Sequence, residues 1–320
     1  MPRGSIIYNP AAGRFSAGPL IESAMKVLSK GGWDIKAVKT SGPESLSKEA
    51  HHAVERQEDV VFVAGGDGSV GVVASILANS STALAVLPAG TANVWAKTLG
   101  LQHLDWFHWF ALEDAASRLT RGTYHLADLA ECNSQDFMLW AGIGLDAEIV
   151  QNIEPRGRWE KSFGTAQYAS RAMWHTLGWE GIHLHVKSPD IDLEGKFLIA
   201  IASNIRAYAG GYVELALNAK IDDGKLDFWL FEGSSFKDIL VHVLQVLRGK
   251  HVDSPGVIHF QASEASFSTE EELPFQMDGE AKRITSPAHF RIREKVLRVL
   301  VPFGGDLSMF SDSEPSPIND

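Results

Sequence analysis

"VVFVAGGDGSVGVV", residues 60–73, reads as a buried strand that breaks into glycines and restarts as a helix. Turns of this kind let backbone amides approach phosphate, yet this one carries a carboxylate, Asp67, at its centre. Residues 66–71 match the dinucleotide spacing G-x-G-x-x-G, but the acidic residue expected about 20 positions later is missing, since residues 83–91 read "ALAVLPAGT". Asp67 would also repel a pyrophosphate: like charges roughly 4 Å apart, at an effective dielectric of about 20, cost about 4 kcal/mol. A divalent cation between them reverses the sign. Asp67 therefore points to a nucleoside triphosphate that arrives with Mg²⁺, and so to phosphoryl transfer. A tight turn with Asp67 as a helix cap is the plainer alternative. No G-x-x-x-x-G-K-[ST] occurs in the chain, which excludes the Walker-type P-loop.

Outward from this turn, short apolar runs alternate with amphipathic stretches. "GSIIYNPAAG" and "WDIKAVKTSG" read as strands, and "AGPLIESAMKVLSKGG" and "PESLSKEAHHAVERQ" as helices, the second with proline near its start. "TALAVLPAGTAN" is a further strand and "VWAKTLGL" resumes as helix. Such alternation predicts a parallel sheet covered on both faces. Ligands of such sheets sit beyond the carboxyl ends of the strands, where "YNPAAG", "KTSG", "AGGDGS" and "PAGTAN" all fall. After "DWFHWFALEDAASRLTRG" the texture becomes one of short alternating strands, interrupted by helical stretches near 163–178 and 235–249. The reading is two domains with a cleft between them: 1–125 α/β, then 126–302 mostly antiparallel β, with 303–320 as a disordered tail.

Composition narrows the partners. A net charge of −11 over 320 residues argues against nucleic acid and against bulk attachment to anionic lipid. Cys132 is the only cysteine, which fits a reducing cytoplasm. No apolar run reaches the roughly 18–20 residues that span a bilayer, and "MPRGSIIYNP" does not read as a signal peptide. Trp106, Phe107, Trp109 and Phe110 read as a helix face packed into the core or a domain interface. The segment 158–179 mixes Arg158, Lys161 and Arg171 with tryptophans, which suits transient contact with a membrane surface.

Taken together, "YNPAAG" (8–13), Thr40, "GGDGSVG" (65–71), "LPAGTAN" (87–93), "GIGLDAE" (142–148), "SNIRAYAGG" (203–211), "AKIDDGKLD" (219–227) and "MDGE" (277–280) resemble the diacylglycerol kinase catalytic-domain superfamily, which holds the bacterial YegS-like lipid kinases and the sphingosine and ceramide kinases. The eight motifs follow the family's order from about residue 5 to 302. The resemblance implies an NAD kinase-like nucleotide domain followed by a β-sandwich, with ATP held by Asn9, Pro10, Gly13, Thr40, Gly65, Gly66, Asp67, Gly68, Ser69, Gly71, Gly90 and Thr91. It implies a structural Mg²⁺ on Asp223 with the backbone oxygens of Lys220 and Lys225, although a bare "DDG" is elsewhere a solvated turn. It places the catalytic base in "DGE", with Asp278 the first choice and Glu280 the second. The implied substrate is a diacylglycerol-like lipid, met by a cytoplasmic protein at the inner membrane face; whether it acts as a homodimer is left open. One departure is Val94, where many members carry aspartate in a network expected to reach Asp128. The competing readings are an NAD kinase-like kinase of a non-lipid alcohol and a non-enzymatic lipid or nucleotide sensor.

Overall fold

The computed structural model describes residues 1–11, 17–102, 104, 108–153, 178–311 and 315. Gly13, Trp106, Phe107 and the segment 154–177, which holds most of the basic–tryptophan stretch, lie outside the described residues.

The first half runs β1 (Arg3–Tyr8), α1 (Ala17–Lys30), β2 (Asp34–Lys39), α2 (Pro43–Glu55), β3 (Val60–Gly65), α3 (Asp67–Leu77), β4 (Ala83–Pro88), α4 (Val94–Thr98) and α5 (Ala111–Leu119). The strands pair in parallel, in the order β4-β3-β1-β2. Every residue of β3 and β4 is buried, as expected of strands covered on both faces. Proline opens α2, where its missing N–H costs nothing. The strand order reverses between β1 and β3. With right-handed crossovers this sends α1 to one face and α2 and α3 to the other, and it opens a crevice beyond the ends of β1 and β3. Asn9 and the Gly65–Asp67 turn stand at that point.

The second half comprises β5 (Thr123–Cys132), β6 (Gln135–Phe137), β7 (Trp140–Gly144), α6 (Leu145–Ile153), β8 (Ile182–Lys187), β9 (Asp192–Ser203), β10 (Ala207–Tyr208), β11 (Val213–Glu214), β12 (Leu226–Glu232), α7 (Phe236–Leu247), β13 (Val257–Ala262), β14 (Glu264–Ser268), β15 (Phe275–Met277), β16 (Glu280–Lys282) and β17 (Ala288–Val301). Its strand pairs are antiparallel. Phe228, Phe267 and Phe290 meet edge-on at 5.2–5.9 Å at the centre of its core. No described helix is long and apolar enough to cross a membrane.

β17 joins the halves. Its first residues pair with β14, while Val299 pairs in parallel with Leu84 of β4, so the two halves share one sheet. β5 follows β17 along its length, with the register broken between Arg293 and Leu297. Asp128, buried at this break, accepts the N–H of Lys295 and the N–H of Gly224, each at 2.7 Å. Lys295 is left-handed (φ 52°), so the carboxylate holds a bulge in place.

Three expectations need correction. Residues 303–311, assigned to a disordered tail, are ordered: Leu307–Met309 form a 3₁₀ turn, Met309 and Phe310 are buried, and Lys220 donates to the Ser308 carbonyl at 2.6 Å. Trp109 and Phe110 are not packed away, being 42 % and 72 % exposed in the turn before α5. Helix α6 follows "GIG" directly, where no helix was expected.

Candidate active site

The parallel register brings Tyr8, Lys39, Gly65 and Pro88 to one edge, so the four loops after them converge. Asn9 Oδ1 accepts the N–H of Ala11 at 2.9 Å, turning the chain after β1 beside Pro10. Buried Thr40 donates its N–H to the Tyr8 carbonyl at 2.8 Å, and so closes the same corner. The loops after β3 and β4 touch backbone to backbone. A Cβ at Gly90 would lie 2.3 Å from Gly66 Cα, so only glycine fits. The Gly90 N–H reaches both the Gly65 carbonyl and Asn93 Oδ1, and Asn93 Nδ2 returns a bond to the Gly90 carbonyl at 2.8 Å. Thr91 stands exposed on the same loop. A Cβ at Gly65 would meet Ser69 Cβ at 2.9 Å, which sets how tightly the turn enters α3.

Asp67 is the first residue of α3, yet its carboxylate does not cap that helix. Oδ1 accepts the N–H of Trp95 at 3.0 Å in the first turn of α4. The plainer reading of Asp67 as a cap thus holds for the neighbouring helix. No described residue donates to Oδ2.

The "MDGE" element is a two-residue hairpin between β15 and β16, with Met277 opposite Glu280. Asp278 (φ 50°) and Gly279 (φ 80°) are both left-handed, as the tight Asp-Gly hairpin turn requires. An aspartate there costs on the order of 1–2 kcal/mol. Three amides offset that cost: the N–H of Met138 donates to Asp278 Oδ2 at 2.9 Å, and those of Leu139 and Trp140 to Oδ1 at 2.8 and 3.2 Å. Burial nevertheless dominates and pushes the carboxyl up to about 6, with a further rise from nearby Asp67.

The glycine helix and the hairpin face each other. A Cβ at Gly71 would stand 3.5 Å from Asp278 Oδ2, and one at Gly68 would stand 3.0 Å from Glu280 Oε1. Gly68 and Gly71 are one turn apart, so the bare face of α3 lies against both acids. Glu280 itself is exposed and paired with Lys282 at 2.9 Å.

Asp223, Lys220 and Lys225 lie elsewhere, on the turn clamped by Asp128. Asp223 Oδ1 accepts the Lys225 N–H at 3.1 Å, while the Lys220 ammonium is committed to the carbonyls of Ser308 and Phe310. Burial raises the Asp223 carboxyl, and repulsion from Asp227 and Asp222 raises it further. Among the described residues no three metal-ligating side chains converge. Asp223 thus stands in a field of like charge, which a bound cation would relieve. Asp128, pushed up to about 6 by burial against the pull of its two amides, serves this turn and the β17 bulge. Val94 is buried near Gly211, so an apolar side chain occupies the expected place of an aspartate.

Sequence reasoning missed two residues. Lys97, half-buried on α4, has no ion-pair partner among the described residues and lies beside Gly211; its signal was a cation two residues after "TANVW". Gln276 hid because a polar residue between Phe275 and Met277 reads as a solvated strand face, yet it is fully buried.

Residues 3–132 match the diacylglycerol kinase catalytic domain, and residues 140–301 match the YegS C-terminal NAD kinase beta sandwich-like domain. A diacylglycerol kinase of Bacillus subtilis strain 168 is 24% identical over 290 residues, covering 88% of this chain and 90% of its own length. One from Staphylococcus aureus strain MRSA252 is 25% identical over 303 residues, covering 94% and 92%. A crystal structure of a diacylglycerol kinase from Bacillus anthracis strain Sterne shares the fold at a TM-score of 0.71 and 21% identity, covering 93% of this chain and 96% of its own. The chain belongs to the YegS-type family of diacylglycerol kinase catalytic domains.

Proposed function

We propose that this kinase-family chain uses Mg²⁺ and ATP to phosphorylate a hydroxyl of a diacylglycerol-like lipid in the cleft between its two halves, at the edge where α3 meets the β15–β16 hairpin. The observation that carries the reading is the Asp278 carboxylate standing over the bare face of the glycine helix, close enough to Asp67 to feel its charge.

In this reading the amides after β1, β3 and β4 hold the triphosphate, with Asn9, Thr40, Gly66 and Gly90 shaping the loops. Mg²⁺, when bound, supplies the positive charge that makes Asp67 compatible with phosphate oxygens; Asp223, with the backbone oxygens of Lys220 and Lys225, would hold a second ion beside the Asp128 turn. Asp278 accepts the proton of the lipid hydroxyl while that oxygen forms a bond to the γ-phosphorus and the bond to ADP breaks. Asp278 is favoured over Glu280 because Glu280 is solvated and paired with Lys282. The protein meets its lipid at a membrane surface without spanning it.

The test is ATP consumption measured with diacylglycerol, a panel of other lipid alcohols and NAD, each with and without Mg²⁺. Lipid-dependent, Mg²⁺-dependent turnover supports the reading. Turnover with NAD alone replaces it with the non-lipid alternative, and no turnover with any acceptor leaves the sensor reading.

A further inference from the structure

We infer that Gln276 is a positioning residue that ties helix α6 to the Asp278 hairpin. The inference rests on the kinase reading for its effect on rate, but not for its geometry. β15 sends Phe275 and Met277 into the sandwich core, while Gln276 points the other way and is fully buried. Its Nε2 donates to Asp146 Oδ2 at 2.6 Å, in the first turn of α6, and its Oε1 accepts the N–H of Gly279 at 2.9 Å. The Gly279 N–H can only donate, which turns Gln276 Oε1 towards it and leaves Nε2 to donate to Asp146 Oδ2.

The backbone is built to leave this bridge room. A Cβ at Gly142 would fall 2.3 Å from Asp146 Oδ2 and 2.8 Å from Gln276 Nε2, so the first glycine of "GIGLDAE" is bare because the bridge passes over it. Asp146 also bonds the Tyr208 side chain, and Tyr208 meets the Trp140 ring edge-on at 5.4 Å. The Trp140 N–H is one of the three that hold Asp278. The turn that aims the carboxylate is thus gripped from outside by Gln276 and from inside by residues 138–140. A turn left to drift by an ångström would lose about 10²-fold in rate.

The test uses the full chain. Gln276→Glu keeps an acceptor for Gly279 but sets a carboxylate against Asp146; adding Asp146→Asn exchanges donor and acceptor and restores both bonds. The single variant is expected to lower kcat by about 10²-fold with KM for ATP unchanged, and the double variant to recover most of that loss. In Gln276→Leu, hydrogen exchange at the Gly279 amide, followed by NMR, is expected to accelerate at least tenfold while amides of β3 keep their protection. A double variant no better than the single, or unchanged Gly279 exchange in Gln276→Leu, would overturn the inference. If the wild-type chain turns over no lipid, the functional reading fails, and the exchange measurement still decides the bridge.

Discussion

Asp67 opens one helix while its carboxylate caps another, accepting the N–H of Trp95 at 3.0 Å from the first turn of α4. A single side chain thereby fixes the distance between the loops after β3 and β4. No described residue donates to Oδ2, which in the proposed reading meets the cation.

These two roles separate by substitution. Asp67→Asn keeps an oxygen for Trp95 and removes the charge, so thermal stability should stay close to wild type while affinity for Mg·ATP falls at least tenfold. Asp67→Ala should lose that affinity and, in addition, about 1 kcal/mol of stability for the missing cap. Calorimetric titration with nucleotide and thermal melts of both variants check this; unchanged Mg·ATP affinity in Asp67→Asn removes the metal role.

Asp278→Asn should lower lipid-dependent turnover by about 10²–10⁴-fold while nucleotide still binds, because the lost group acts on the proton and not on the triphosphate. Near-normal turnover would transfer the base role away from Asp278.

The pH profile carries its own signature. A base must be ionised to work, and burial holds Asp278 at about 6 against an ordinary 3.8. The rate should therefore fall as pH drops through 6, with half the activity lost near that point. A plateau that persists down to pH near 4 would mean an unperturbed carboxyl does the chemistry.

Gly90→Ala forces a methyl into the Gly66 backbone, with no flexible side chain to yield. A loss of about 1–3 kcal/mol is expected, accompanied by weakened nucleotide binding. A variant as stable as wild type would show that the two loops separate more freely than their contact indicates.

If Asp223 holds Mg²⁺, chelation should lower the melting temperature, and Asp223→Ala should melt at one temperature with or without the ion. At 100 times the dissociation constant the bound ion would contribute about 2.7 kcal/mol. Metal-independent melting of the wild type would count the "DDG" element as a plain turn.

The first half was readable because its signals are local. Apolar runs such as "VVFVAG" and "ALAVLP" mark buried strands, Pro43 marks the start of α2, and "GGDG" marks the turn at the switch point. "DGE" was legible as a turn with an acid, but not as a carboxylate folded back on the amides of residues 138–140, a contact made across 138–140 positions of chain. The union of both halves by β17 was invisible for the same reason: the pairing of Val299 with Leu84 leaves no local pattern. Residues 303–311 look like linker by composition, and partners at Arg206 and Lys220 order them.

Because β17 is the last strand of the described residues and also the neighbour of β4, the α/β half owns a border that is translated nearly two hundred residues after the rest of it. A fragment ending at residue 125 would present β4 as a bare, wholly apolar edge, inviting self-association. β17 is the strand paired with both halves, so any opening or closing of the cleft would load it, and its ladder with β5 is already broken between Arg293 and Leu297, where Asp128 acts as the pin.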